Sequence, residues 1–340
     1  MSYSQRPLIE AFKRGEVPGE STVPKHIETV ISNVFLFPER VYKVYKDDNE
    51  FFNKNFRDIS AKEARFSFTR KDFVWNSTLS PSIYLELKGA AVAGASMQLA
   101  EPGDSAEELV FLMNRIDSKD ILFEKLSRGE VSVADAYAIG GQLAGNLAKV
   151  RTRAITGLNY FEIFEREIRD VREWIQGVSE YIPEEEWKKY CDFMEEFRQT
   201  NRAWHEGELS EQLAYSGDAH SHNAVFSNGA LYLMDTYAPK EEWMVAHNLI
   251  PFYRIGADLW ALGSKELFDS YARGYEAALE TTLDPRLQAP FIIYAASIMV
   301  SYLYMLQKTD TDKKEAAKKY HEFIQRYYKE ITNPDAQITV

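Results

Sequence analysis

The sequence predicts a bilobal α+β protein: a small β-rich N-terminal lobe over 1–113, then a large, mainly helical C-terminal lobe over 114–340 with one short hairpin inside it. Three observations predict this. Runs of strand composition crowd the first third of the chain. After Arg115 the pattern becomes Ala- and Leu-rich with helical spacing. Small β signals return only at Ala224 to Asp235. That order suggests two lobes with a cleft between them, and 340 residues suffice for two cores.

Val30 to Lys46 holds two β-rich runs around Pro38-Glu39-Arg40, a hairpin-like signal with Pro and charge at the turn. Asp58 to Asn76 fits the one helix of this region, with Ser60 as N-cap and Glu63 at the capping-box position. Ser82 to Leu87 and Glu108 to Met113 read as strands, joined through a loop at Glu101-Pro102-Gly103-Asp104. Further on, Ser132 to Arg151 is helical, and Tyr160 to Arg202 is a long helical stretch interrupted at Ile182-Pro183. From Trp243 to Glu330 the chain is again mostly helical. Within it, Ala289 to Gln307 carries no charge. Pro290, Ser297, Ser301 and three tyrosines make it read as a buried core helix rather than a membrane span.

The formal net charge is -12, and an acidic surface of that size argues against a nucleic-acid partner. Cys191 is the single cysteine, so no internal disulfide is available, which fits a reducing cytoplasm. The N-terminal stretch lacks the apolar core of a secretory signal. The expectation is a cytoplasmic protein with no membrane partner.

The informative stretch is Tyr215 to Pro239. Asp218 and Asn223 are separated by four residues, and Ala224-Val225-Phe226 then forms a short strand. Asn228-Gly229 is the strongest short-range hairpin signal, and the return strand ends at Asp235. Phosphoryl transfer gives such a layout a physical purpose. One carboxylate faces the attacking hydroxyl, while an amide and a second carboxylate hold Mg²⁺ on the nucleotide phosphates. A rigid hairpin sets the distance between those last two groups. On this reading Asp218 is the catalytic residue, and Asn223 and Asp235 are the metal ligands.

Ser216-Gly217-Asp218-Ala219-His220-Ser221-His222-Asn223, followed by the hairpin and Asp235, resembles the H-G-D-x-H-x-x-N pattern of the aminoglycoside phosphotransferase-like family, a branch of the protein-kinase-like fold. The family's first His is Ser216 here. The resemblance covers most of residues 26 to 275. It is nearest to a subgroup often fused to a P-loop ATP-binding domain, although no G-x-x-x-x-G-K-S/T run occurs. It implies an ATP- and Mg²⁺-dependent kinase acting on a hydroxyl of a small molecule. Glu28 to Lys46 looks like the nucleotide-covering hairpin and the strand with the ATP-binding lysine; Thr29 to Asn33 at its turn contains no glycine. Lys43 fits the V-x-K pattern, with Lys46 as the alternative. Asp72 falls at the position of that lysine's carboxylate partner, with Glu63 as the fallback. Leu112 and Met113 fall at the strand and hinge that contact adenine, and Asp258 at the helix that supports the catalytic loop.

Plainer readings compete. His220 and His222, with no Cys or third His nearby, make a poor zinc site. His220 reads better as a loop brace held by a hydrogen bond, and His222 as a solvent- or substrate-facing residue. Lys43 also suits an ordinary edge strand, and Asp258 an ordinary helix-start acid. Trp174, Trp187, Tyr190, Phe193 and Phe197 read as core, and Glu206 and Glu208 as solvated acids that would suit a cationic acceptor. The alternative to an enzyme is a pseudokinase, a nucleotide- or protein-binding module. Ser216 and the glycine-free turn favour it, whereas the retained Asp218, Asn223 and Asp235 oppose it. No A-P-E segment follows Asp235, which favours small molecules over protein substrates. The acceptor itself is not written in the sequence.

Overall fold

In the computed structural model, the alternating run Arg40–Tyr45 is a central strand with one face toward each of two helices. Residues 4–29, 31–55, 57–93, 96–103, 105–150, 159–206, 218–236, 249–307 and 313–333 are described. The chain divides into two units, Met1–Asp117 and Ser118–Val340.

The first unit runs α1 (Arg6–Lys13), β1 (Lys25–Glu28), β2 (Ser32–Leu36), β3 (Arg40–Tyr45), α2 (Glu50–Asn55), α3 (Lys62–Leu79), β4 (Tyr84–Ala93), β5 (Ser96–Ala100) and β6 (Glu108–Asn114). The six strands form one antiparallel sheet in the order β1-β2-β3-β6-β4-β5. Leu8 and Phe12 of α1 pack with Phe35, Tyr42, Val44 and Val110. Tyr45, alternate to Val44, meets Phe68 of α3 edge-on with ring centres 5.0 Å apart. Arg65 of α3 forks onto Glu108 of β6, with both side chains 1% exposed.

The expected hairpin around Pro38 is β2–β3, and both expected later strands are present. Three features differ from expectation. α1, β1 and β5 are short, and their pattern is masked by charge and small residues; only packing against the sheet makes them regular. β4 continues past Leu87 to Ala93, because β5 and β6 supply its partners. Ser60 is not the cap of α3: Ala61 holds that position without a side-chain bond. Ser60 instead gives its N–H (2.9 Å) and its hydroxyl (2.5 Å) to Asp58, a local turn that competes with capping.

The second unit contains α4 (Leu122–Ser127), α5 (Val133–Lys149), α6 (Tyr160–Gln176), α7 (Glu184–Thr200), α8 (Arg202–His205), the hairpin β7 (Ala224–Ser227) and β8 (Ala230–Leu233), α9 (Ile250–Asp258), α10 (Lys265–Leu279), α11 (Gln288–Leu306) and α12 (Lys313–Thr332). Ser132 caps α5 in a reciprocal box with Asp135, and Pro183 opens α7 where the break was expected. Trp187 and Tyr190 are buried, as their spacing predicts. α11 is long and apolar enough to cross a membrane by length and composition, yet it is a buried core helix, packed against α6, α7, α9 and α12. Asp258 does not open a helix. α9 begins at Ile250, so Asp258 is its last residue, and a π-helical turn over Leu259–Gly263 follows.

α5 is the splint for the hairpin. Gln142 donates to the Gly229 carbonyl and accepts from the Leu231 N–H, both at 2.8 Å. Asn146 donates to the Leu231 carbonyl at 3.1 Å. α5 itself lies backbone-to-backbone on α10, since a Cβ at Gly140 would overlap the Tyr271 carbonyl and one at Gly274 the Tyr137 carbonyl. Gly140→Ala therefore lowers stability by about 2 kcal/mol or more, read as a drop in the denaturant midpoint. Gly145→Ala in the same helix, with nothing within 4 Å of the added Cβ, leaves stability unchanged or gains up to about 1 kcal/mol.

Candidate active site

In the first unit, strand alternation turns Lys43 to the α3 side with Tyr45. Lys43 is 5% exposed, with its ammonium 5.2 Å from the centre of the Tyr45 ring and 5.9 Å from that of Phe111. Asp72 of α3 is 3% exposed; it accepts the Tyr45 hydroxyl at 2.5 Å and the Asn76 amide at 3.1 Å. The cation and the anion thus meet the same tyrosine. Glu63 is exposed. Lys46 is committed elsewhere: it donates to the Glu28 carboxylate and to the Thr29 carbonyl, both at 2.7 Å, bracing the β1–β2 turn. That glycine-free turn is clasped by the Thr29 and Ser32 hydroxyls, 2.8 Å apart. Leu112 and Met113 of β6 stand opposite Tyr42 and Val41; Met113 is buried and Leu112 half-buried.

In the second unit, Asn223 closes a 3-10 turn over Ser221–Asn223 and ties both ends of the hairpin. Its carbonyl accepts the Met234 N–H at 2.8 Å. Its side-chain amide donates to the carbonyls of Asp218 (3.0 Å) and Asp235 (3.4 Å). Asn228 and Gly229 take φ of 52° and 74°, the left-handed pair that a two-residue hairpin requires. Asp235 also has a left-handed φ, 51°. That conformation is uncommon outside glycine though tolerated by Asp, and it ends the strand sharply where its carboxylate is presented. Asp218, Asn223 and Asp235 are thus brought together. Ser216, Gly217 and Glu208 lie outside the described residues.

Burial pushes the Asp218 carboxyl up; the Arg254 guanidinium opposes this, and the Asp235 carboxylate adds to it. Tyr302 of α11 is raised by burial and then by Asp218, which places its phenol in the same electrostatic neighbourhood. Arg254 is a residue that motif reading missed. Its only sequence signal is its position one helical turn before Asp258 on α9.

The loop histidines differ from expectation. His222 is half-buried: it stacks on Phe123 with ring centres 3.7 Å apart, its Nε2 is shut off from solvent without a hydrogen-bond partner, and burial, then Lys313 and Arg254, push it down to about 3. His220 is buried and its Nδ1 has no hydrogen-bond partner. The bracing bond runs instead from the Ser221 N–H to the Asp258 carboxylate, at 2.8 Å. No group of three His, Cys, Asp or Glu suited to a metal occurs among the described residues. Mg²⁺ asks for less, since one or two protein oxygens suffice beside waters and phosphates. Asn223 spends its Nδ2 on two carbonyls, so its Oδ1 would be the atom to meet a metal, together with the Asp235 carboxylate. That hard-oxygen pair fits Mg²⁺.

No protein-family model matches the chain, and no curated protein matches it in sequence. Solved structures do match. A glucosamine kinase in complex with glucosamine, ADP and inorganic phosphate is 12% identical over 92% of this chain and 82% of its own, with a TM-score of 0.51. A spectinomycin phosphotransferase bound to AMP is 11% identical over 95% of each chain, with a TM-score of 0.48. A choline/ethanolamine kinase family protein from Mesorhizobium loti is 12% identical over 95% of this chain and 93% of its own, with a TM-score of 0.47. An antiparallel N-terminal sheet followed by a mostly helical part, matched to the glucosamine kinase over most of both chains, gives this protein a kinase-like α+β fold.

Proposed function

We propose that the protein is an ATP-dependent phosphotransferase that phosphorylates a hydroxyl of a small molecule. The observation that carries this reading is the Asn223 junction, which holds Asp218 and Asp235 to one turn through a single side chain. Asp218 orients the acceptor hydroxyl and takes its proton. The raised affinity of its buried carboxyl for a proton suits a base. Asn223 and Asp235 hold Mg²⁺, which when bound neutralises charge on the nucleotide phosphates. Lys43, held with Asp72 around Tyr45, binds the phosphates, and Leu112 and Met113 meet the adenine. The ADP bound in the glucosamine kinase of similar fold supports the choice of nucleotide.

The first test is thermal unfolding with and without Mg²⁺-ATP, comparing wild type with Asp235→Ala. Ligand at about 100 Kd stabilises the native state by about 2.7 kcal/mol, a readily measured rise in Tm. The expected result is a Mg²⁺-dependent rise in the wild type that Asp235→Ala loses. Absence of any rise at millimolar nucleotide overturns the reading. A rise without transfer to any of a panel of hydroxylated acceptors favours the nucleotide-binding pseudokinase instead.

A further inference from the structure

Asp258 is 1% exposed, and its two carboxylate oxygens have different partners. Oδ2 accepts the Ser221 N–H at 2.8 Å, and Oδ1 accepts the hydroxyl of Tyr320, a fully buried residue of α12. A buried carboxylate makes its strongest and most directional bonds to such donors, and losing one leaves an oxygen unsatisfied in a medium that cannot replace it. The Tyr320 ring is seated independently of its hydroxyl. Phe323 and Tyr327 of the same helix pack on Trp260 of the π-helical turn, with ring centres 5.8 and 5.0 Å away. α12 is therefore anchored beside Asp258 by apolar packing, and the phenol adds one directed bond.

From this geometry we infer that Tyr320 is a positioning residue for the catalytic loop. It acts through Asp258 on Ser221 and so sets the spacing of Asp218 and Asn223, which flank Ser221 in the chain. The inference rests on the phosphotransferase reading for its kinetic consequence, though not for its structural one. An unrestrained Asp258 carboxylate can turn about its side-chain torsions, and the Ser221 amide it holds moves with it. A displacement of about 1 Å at a reacting group costs on the order of 100-fold in rate.

The test uses the full chain with Tyr320→Phe, which keeps the ring and removes the hydroxyl. Two measurements are made: hydrogen exchange of residues 218–226 without ligand, and steady-state turnover of Mg²⁺-ATP with water as acceptor. Expected are exchange at the Ser221 amide at least about tenfold faster, unchanged exchange in α6 and α7, and kcat lowered about 10- to 100-fold with the nucleotide KM within about threefold. Wild-type exchange at Ser221 overturns the inference. So does faster exchange spread over the whole second unit, because the hydroxyl is then a general stability bond. If wild type itself neither hydrolyses Mg²⁺-ATP nor phosphorylates any of a panel of hydroxylated acceptors, the phosphotransferase reading fails, and the exchange experiment still decides the role of Tyr320.

Discussion

Asp218→Asn lowers phosphoryl transfer to an acceptor hydroxyl by about three orders of magnitude while Mg²⁺-ATP still binds. Asn keeps the size of the side chain but can neither take the hydroxyl proton nor carry the charge that aligns it, and positioned general bases contribute about 10²–10⁴-fold. The backbone carbonyl that Asp218 offers to the Asn223 amide is untouched by the substitution, so the hairpin junction survives. ADP release with a panel of hydroxylated acceptors, paired with the Mg²⁺-ATP melting shift, checks both halves. Full activity in the variant removes Asp218 from the reaction. Loss of the melting shift as well shows that Asp218 serves the nucleotide site and not the acceptor.

The largest stability effect falls on Arg65→Met. Arg65 meets Glu108 through two nitrogens and also donates to the carbonyls of Ile59 (2.9 Å) and Ser60 (2.8 Å), while Glu108 is 1% exposed. Removing the guanidinium strands a buried carboxylate, which costs about 3–5 kcal/mol. Arg65→Met combined with Glu108→Leu removes both charges and recovers most of that loss. Urea midpoints of the wild type, the single and the double variant give the coupling directly. A single variant as stable as wild type means that water reaches Glu108. The pair also matters beyond stability, because it fixes α3, which carries Asp72, against the sheet that carries Lys43.

What was legible in the sequence follows the range of the interactions. The hairpin between Asn223 and Asp235 was readable because Asn228-Gly229 dictates its own backbone. The split of Tyr160 to Arg202 was readable because Pro183 cannot continue a helix. α11 was readable as core because its tyrosines and serines are poor membrane company. Arg254, Tyr320 and the Lys46 brace were not readable. Each acts on a residue distant in sequence, and nothing local distinguishes Tyr320 from the other tyrosines of α12. The same limit explains the histidines. H-x-H in a polar loop looks accessible, and rings distant in sequence, Phe123 upstream and Tyr302 downstream, make His222 a packed residue.

The Ser221–Asp258–Tyr320 relay also bears on the order in which a ribosome delivers the chain. Its three members are separated by 37 and 62 residues. Synthesis runs at about 5–20 residues per second. The hairpin and its α5 splint can therefore form seconds before residue 320 has been made. During that interval the loop bearing Asp218 has its side chains but lacks its final tether. A nascent chain halted anywhere between Asp258 and Tyr320 holds an incomplete catalytic loop, so competence arrives late in synthesis.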